Sequence, residues 1–257
     1  MAGRASGHGR RELARDHDIR RLRDLLRAAV LGDAYPDGQL PSEASLMAAH
    51  GVTRATVREA LALLRRDGLI ERVQGVGTQA LFTSVTTQLA EAHGAVRPSR
   101  GSIFSNGLRP RVLDRSVVPA PTLVAHRLDI RAGEPCLRLE YVSLLGEEPH
   151  ALATNYVLFP EAERLTGTPF TSHWYALLDE AGVVLGESEF VIDGALADPI
   201  TSRTLGVADG TPLISMEQAI YDPAGRAFNV AFIQIRADRF RFVSRARSAD
   251  LPGLPLA

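Results

Sequence analysis

The sequence predicts an α+β protein in two parts, an N-terminal winged helix-turn-helix and a C-terminal domain built on an antiparallel sheet. Three observations carry that expectation. Apolar residues recur at helical spacing in three stretches before residue 68. A glycine-flanked hairpin pattern follows directly, and beyond residue 108 strand-like runs alternate with short helices.

Residues 1–11, MAGRASGHGRR, are Gly-rich and basic and read as a tail. Ile19, Leu22, Leu25, Leu26, Ala29 and Val30 then mark a first helix, ended by the Gly32-Asp33 and Pro36-Asp37-Gly38 turn signals. Leu40-Pro41-Ser42-Glu43-Ala44 opens a second: Ser42 can accept from unpaired N–H groups, and Glu43 suits the positive end of the helix dipole. This helix carries Leu46, Met47 and Ala49 and stops at Gly51. Thr53 caps a third, with Val57, Ala60, Leu61 and Leu64 as its apolar face, ending near Asp67-Gly68. Residues 69–73 and 78–81 read as paired strands across the tip Gln74-Gly75-Val76-Gly77.

Residues 83–107 have weak periodicity and are expected to link a domain at 12–82 to one at 108–246. In the second, residues 111–118 read as strand and 122–128 as helix. Residues 135–145 and 150–158 form a hairpin across Gly146-Glu147-Glu148-Pro149. Helix at 172–180, strand at 186–194 and helix at 199–205 follow. Strands at 213–221 and 226–236 then straddle Asp222-Pro223-Ala224-Gly225, a strong turn.

The 257 residues, 45% apolar, suffice for two modest domains with real cores. All 29 basic residues are Arg; residues 1–80 hold 13 of them against 10 acids, the remainder 16 against 20. The asymmetry permits an anionic partner for the N-terminal part. Cys136, the single cysteine, can form neither an intrachain disulfide nor a cysteine zinc cage and is expected to fill a strand core. No apolar run approaches 18 residues and the N-terminus lacks a signal-peptide pattern, so a soluble, cytoplasmic protein with no membrane partner is expected.

Enzymatic chemistry finds little support. The seven histidines form no metal-ligand spacing, Ser172 and His173 are adjacent and would diverge, and no phosphate-binding loop occurs. The expectation is no enzyme, no cofactor and no metal. Arg54 and Arg58, by contrast, are four apart and share the helix face opposite Val57, Leu61 and Leu64. Guanidinium forks there can reach guanine O6 and N7 or phosphates. Gly75 and Gly77 would let the hairpin backbone approach a groove where a Cβ would obstruct.

The run LPSEASLMAAHGVTRATVREALALLRRDGLIERVQGVGTQA resembles the DNA-binding domain of the GntR family of bacterial transcription regulators. The shared pattern is a Pro-Ser-Glu helix start, the Val-Thr-Arg-Ala-Thr-Val-Arg-Glu-Ala-Leu helix, and Gly-Leu-Ile followed by a glycine wing. The resemblance implies main operator contacts from Arg54 and Arg58, Thr56 near phosphate or base edge, and Gln74 with Gly75 in the minor groove, with Ser42 and Gly77 completing the surface. Ala44 stands where Arg or Lys often follows Glu43, so one contact is expected to be absent.

Residues 95–245 resemble the UTRA effector-binding domain of the HutC-like branch. The phrases that carry this are Gly107-Leu108-Arg109-Pro110, Glu148-Pro149-His150-Ala151-Leu152, Trp174-Tyr175-Ala176-Leu177-Leu178 and the closing Arg236-Ala237-Asp238-Arg239-Phe240-Arg241-Phe242. The implied fold is similar to chorismate lyase without its chemistry. Such domains bind small organic anions, and the ligand usually weakens operator binding. The resemblance puts Arg138 forward as the anion-binding group, on the same side of its strand as Cys136 and Glu140, with an Arg138–Glu140 surface pair as the plainer alternative. It places Ala153, Asn155, His173, Tyr175, Glu189, Asn229, Ala231 and Ile233 around the ligand.

This chain departs from the pattern at Ala153, where Glu is common, and at Asn229, Ala231, Ile233 and Ile235, where polar residues are common. Alternation sets those last four on one face, with Phe228, Val230, Phe232 and Gln234 on the other. A larger, weakly polar acid or a natural-product-like molecule is therefore the expected effector. The function implied is a sequence-specific regulator, a repressor whose homodimer binds an inverted-repeat operator in double-stranded DNA under control of a small effector. The alternative is a constitutive regulator whose C-terminal domain serves dimerisation alone.

Overall fold

The structure is a computed structural model that describes residues 5–32, 34, 35, 37–81, 85–88 and 107–244. The chain divides into two compact units, Met1–Ser84 and Val85–Ala257.

In the first unit, α1 (Ala5–Leu31), α2 (Glu43–His50) and α3 (Arg54–Arg66) precede a hairpin of β1 (Ile70–Val73) and β2 (Gly77–Ala80). Residues 5–11, expected as a tail, belong to α1. The spaced apolar residues do what their period requires: Leu22, Leu26 and Val30 of α1 and Leu46 of α2 bury against Val57, Ala60, Leu61 and Leu64 of α3 in one core. The turn between α2 and α3 is set by two caps. Gly51, at φ 63°, ends α2 by donating its N–H to the Met47 carbonyl, and the Thr53 hydroxyl accepts from Thr56 N to start α3.

Ser42 begins α2 in the same way, its Oγ accepting from Ser45 N at 3.1 Å. Ser42→Ala is expected to destabilise the first unit by about 0.5–2 kcal/mol and Ser42→Gly by only a few tenths. Urea unfolding followed by far-ultraviolet circular dichroism measures both; a Ser42→Ala loss under about 0.3 kcal/mol would show that the hydroxyl is not the stabilising feature.

The second unit holds a six-stranded antiparallel sheet, β4 (Leu108–Pro119), β5 (Pro135–Leu145), β6 (Glu148–Val157), β9 (Ala227–Arg236), β8 (Pro212–Tyr221) and β7 (Ser188–Leu196) in spatial order. A separate parallel pair joins β3 (Val85–Gln88) to β10 (Phe240–Val243), so the tract expected as a linker contains a strand; the rest of it, apart from Gly107, lies outside the described residues. Helices α4 (Thr122–Arg127), α5 (Glu161–Thr166), α6 (Trp174–Glu180) and α7 (Pro199–Leu205) complete the unit. Of these elements, the sequence reading missed α5, β3 and β10.

The sheet has two different faces. On one, Leu137, Leu139, Tyr141, Ala153 and Val157 bury with Ala162 and Leu165 of α5 and Trp174, Leu177 and Leu178 of α6. On the other, Cys136, Ala219 and Val230 bury with Val124 and Ala125 of α4, so Cys136 does fill a strand core. Three irregularities interrupt the alternation; one, between Val112 and Asp114 of β4, leaves Leu113 as the extra residue. Between Ser143 and Leu144 of β5 the register shifts, leaving His150 of β6 as the extra residue. Between Ile220 and Tyr221 of β8 it shifts again, leaving Phe228 without a direct partner. Such bulges re-aim side chains. Phe228 accordingly joins the cluster containing Leu137, Leu139 and Val157, not the opposite face that simple alternation gives it.

Candidate functional site

In the first unit, burial of Val57, Leu61 and Leu64 leaves Arg54 and Arg58 on the outward face of α3. The Arg58 Nε donates to Glu43 of α2 at 3.0 Å, an ion pair whose arginine side chain is 63% exposed. That contact occupies one edge of the guanidinium and leaves the terminal Nη groups as a fork. Thr56 differs from expectation. It is buried, and its hydroxyl lies 2.9 Å from that of Thr53, so its side chain is part of the helix start and not of the outward face.

The hairpin is fixed to the strand-like segment before α2. Gln39 pairs with Gln79, its Nε2 donates to the Val76 carbonyl at 2.6 Å, and Leu40 N donates to Thr78 O. Gln74, Gly75 and Gly77 stand exposed at the tip. Gly75 has φ 82° and Gly77 φ 121°, which side chains with a Cβ rarely adopt, so the turn itself requires glycine at both positions. Ser42 is exposed but engaged as the α2 cap.

In the second unit, the face under α6 holds a cavity of about 90 Å³. Register explains its walls. Tyr141, Ala153, Ile233 and Met216 lie side by side across β5, β6, β9 and β8, and Leu139, Asn155, Ala231 and Gln218 form the next row, with Phe190 of β7 beside Gln218. Of the expected ligand-contacting residues, Ala153, Asn155, His173, Tyr175 and Ile233 line the cavity. Asn229 and Ala231 are fully buried on the same face but behind the lining; Asn229 Nδ2 donates to Asn155 Oδ1 at 3.3 Å and to the Tyr156 carbonyl at 3.1 Å.

Two expected residues are elsewhere. Arg138 pairs in register with Tyr156, on the face covered by α4, and its Nε donates to Asp114 at 3.0 Å. Hydrogen bonds from Ser116 and from Arg138 itself hold the Asp114 carboxyl below its usual range. The plainer alternative of a surface pair is therefore right in kind, with Asp114 and not Glu140 as the ion partner. Glu189 is opposite Ala219 on that same face, where its Oε2 accepts from the Tyr221 hydroxyl at 3.4 Å. Neither side chain lines the cavity, and the expected carboxylic acid effector loses the cation that motivated it.

The polar lining is neutral. Burial lowers the His173 pKa, and its Nδ1 accepts from Ala176 N at 3.2 Å as the α6 cap. Burial first, then the nearby Arg236, pushes His150 down to about 4. Gln218 Nε2 donates to the Tyr175 hydroxyl, and burial raises the pKa of Tyr141 and Tyr175, so both phenols stay un-ionised. Three buried polar atoms in this lining have no hydrogen-bond partner among the described residues: His150 Nε2, Asn155 Nδ2 and Trp174 Nε1. Sequence reasoning did not assign His150, Trp174, Gln218, Phe190 or Met216 to the site. The available signal was the apolar alternation of Leu137, Leu139 and Tyr141, which marks the covered face.

No three His, Cys, Asp or Glu side chains come together as a metal site among the described residues, and none of the described helices is long and apolar enough to cross a membrane. Residues 19–79 match the family profile described as bacterial regulatory proteins, gntR family, and residues 107–241 match that of the UTRA domain. An HTH-type transcriptional regulator of Mycobacterium tuberculosis is 30% identical over 240 residues, covering 90% of this chain and 86% of that protein. The HTH-type transcriptional repressor NagR of Bacillus subtilis is 26% identical over 215 residues, 82% and 87% of the two chains. The histidine utilization repressor of Pseudomonas aeruginosa is 28% identical over 198 residues, 76% and 77%. Among solved structures, PhnF from Mycobacterium smegmatis shares the fold with a TM-score of 0.58 at 24% identity, over 88% of this chain and 99% of that one.

Proposed function

The chain belongs to the GntR family of bacterial regulatory proteins, and from that premise we propose that it is a sequence-specific DNA-binding repressor whose operator affinity is set by a small molecule in the second unit. The observation that carries this reading is the outward pair Arg54 and Arg58 beside a glycine wing, with Glu43 holding the Arg58 Nε. Arg54 and Arg58 read base edges in the major groove, Gln74, Gly75 and Gly77 approach the neighbouring groove, and the backbone at Ser42 faces phosphate. A homodimer on an inverted repeat in the cytoplasm doubles the few contacts one recognition helix can make. The repressor names of two relatives support the sign of regulation. The role is binding and not catalysis.

Replacing Arg58 by Ala tests the assignment. The expected result is a loss of roughly 1–3 kcal/mol of discrimination between operator and unrelated duplex, measured by competition at fixed salt. An equal loss on both duplexes would make Arg58 a phosphate anchor and contradict the readout role.

A further inference from the structure

Three residues that line one cavity, beside Tyr141, Ser143, His173, Tyr175 and Gln218, each carry a buried polar atom without a hydrogen-bond partner among the described residues. Trp174 is 6% exposed, His150 4% and Asn155 1%. The indole Nε1 can only donate, as can the Asn155 Nδ2, although the Asn155 amide also interacts with the Tyr141 hydroxyl. The imidazole Nε2 of His150 can accept or donate according to its tautomer. Buried polar groups are paired in the great majority of native structures, and several orphans in one place call for an occupant that completes them.

The charge of that occupant follows from what is absent among the described lining residues. No Arg, Asp or Glu lines the cavity. Both histidines are held neutral by burial, and the nearest cations to His150, Arg236 and Arg239, are engaged by Asp238, with Arg239 also paired to Glu148. A carboxylate or phosphate entering here would lose water without meeting a counter-charge among the described lining residues. Met216, Phe190, Ile233 and Phe240 supply apolar contact for the remainder of the ligand. The volume of about 90 Å³ is below the ~300–1,000 Å³ of drug-sized sites, which selects a compact molecule.

We propose that this cavity binds a small uncharged organic molecule, with a hydrogen-bond acceptor such as a carbonyl or amide oxygen placed against Trp174 Nε1 and Asn155 Nδ2 and an apolar body against the sheet. The proposal deepens the effector reading and rests on it.

Trp174 is the single tryptophan of the chain, so its fluorescence reports occupancy of this cavity directly. The experiment titrates the full chain at neutral pH with shape-matched pairs that differ in charge, isovaleramide against isovalerate and cyclohexanecarboxamide against cyclohexanecarboxylate. The expected result is a saturable change with an amide and binding of its carboxylate weaker by about 10-fold or more. Calorimetry with Trp174→Phe, which keeps an aromatic ring and removes the N–H, is expected to show amide affinity reduced by roughly 5- to 10-fold.

Equal or tighter binding of the carboxylates, no binding of either amide, or unchanged amide affinity in Trp174→Phe would overturn the proposal. Operator binding measured in the same samples separates the two readings. Amide binding without any change in DNA affinity would contradict effector control while supporting the ligand chemistry. Carboxylate binding with a change in DNA affinity would do the reverse.

Discussion

Phe228→Ala is expected to destabilise the second unit by about 3–5 kcal/mol. The ring is fully buried among Leu137, Leu139, Val157, Ala162 and Leu165, where the bulge at Ile220/Tyr221 delivers it. Truncation removes the apolar surface and leaves a space that strands on one side and α5 on the other can only partly close. With two units in the chain, a single two-state transition is not assumed. Trp174 lies in the same cluster, so its fluorescence during urea unfolding follows the second unit alone. A loss under about 1 kcal/mol would mean that the bulge relaxes and returns residue 228 to the other face.

Acid is expected to destabilise the second unit through His150, by on the order of 3 kcal/mol between pH 6.5 and 4. The folded pKa is depressed to about 4 by burial, reinforced by Arg236 and Arg239 and opposed by Asp238. The unfolded side chain titrates near ~6.5. Between those values the unfolded chain binds the extra proton, so stability is full above about 6.5, falls as pH drops through the window, and levels off below about 4. Asp114, Asp198, Asp222 and Asp238, whose folded pKa values are lowered, also lose their stabilising contribution as pH falls through the acid range. The His150 share is therefore the difference in slope between the native chain and His150→Gln over this window. Identical slopes would show that His150 does not titrate differently in the folded state.

The first unit was legible almost to the residue because local rules decide it. Ser42, Gly51 and Thr53 mark helix ends through their own hydrogen bonds or backbone conformation, and the spacing of Val57, Leu61 and Leu64 alone fixes which way Arg54 and Arg58 point. Thr56 escaped because a cap box of two threonines, 53 and 56, turns its hydroxyl inward, which a family pattern does not reveal.

The second unit was legible as an order of elements but not as a site. A two-residue turn at Gly146-Glu147 with unbroken register would set Glu140 opposite Ala153 and Arg138 opposite Asn155, placing the cation in the cavity wall. The bulge between Ser143 and Leu144 moves the register by one residue, so Tyr141 faces Ala153 and Leu139 faces Asn155. In a strand, one residue of slip exchanges the two faces. The same bulge accounts for His150 entering the cavity next to Ala151. Nothing in composition or alternation locates a bulge, and the short β10, which brings Phe240 and Phe242 to the cavity, carries too few residues to show a period.

Selection of duplexes from a random-sequence pool by the full chain, followed by sequencing of the retained DNA, tests the central claim most directly. The account predicts enrichment of an inverted repeat whose half-sites are one helical turn apart, about 34–36 Å, as two copies of α3 require. A retained pool with the base composition of the starting one, and no repeat, would contradict it.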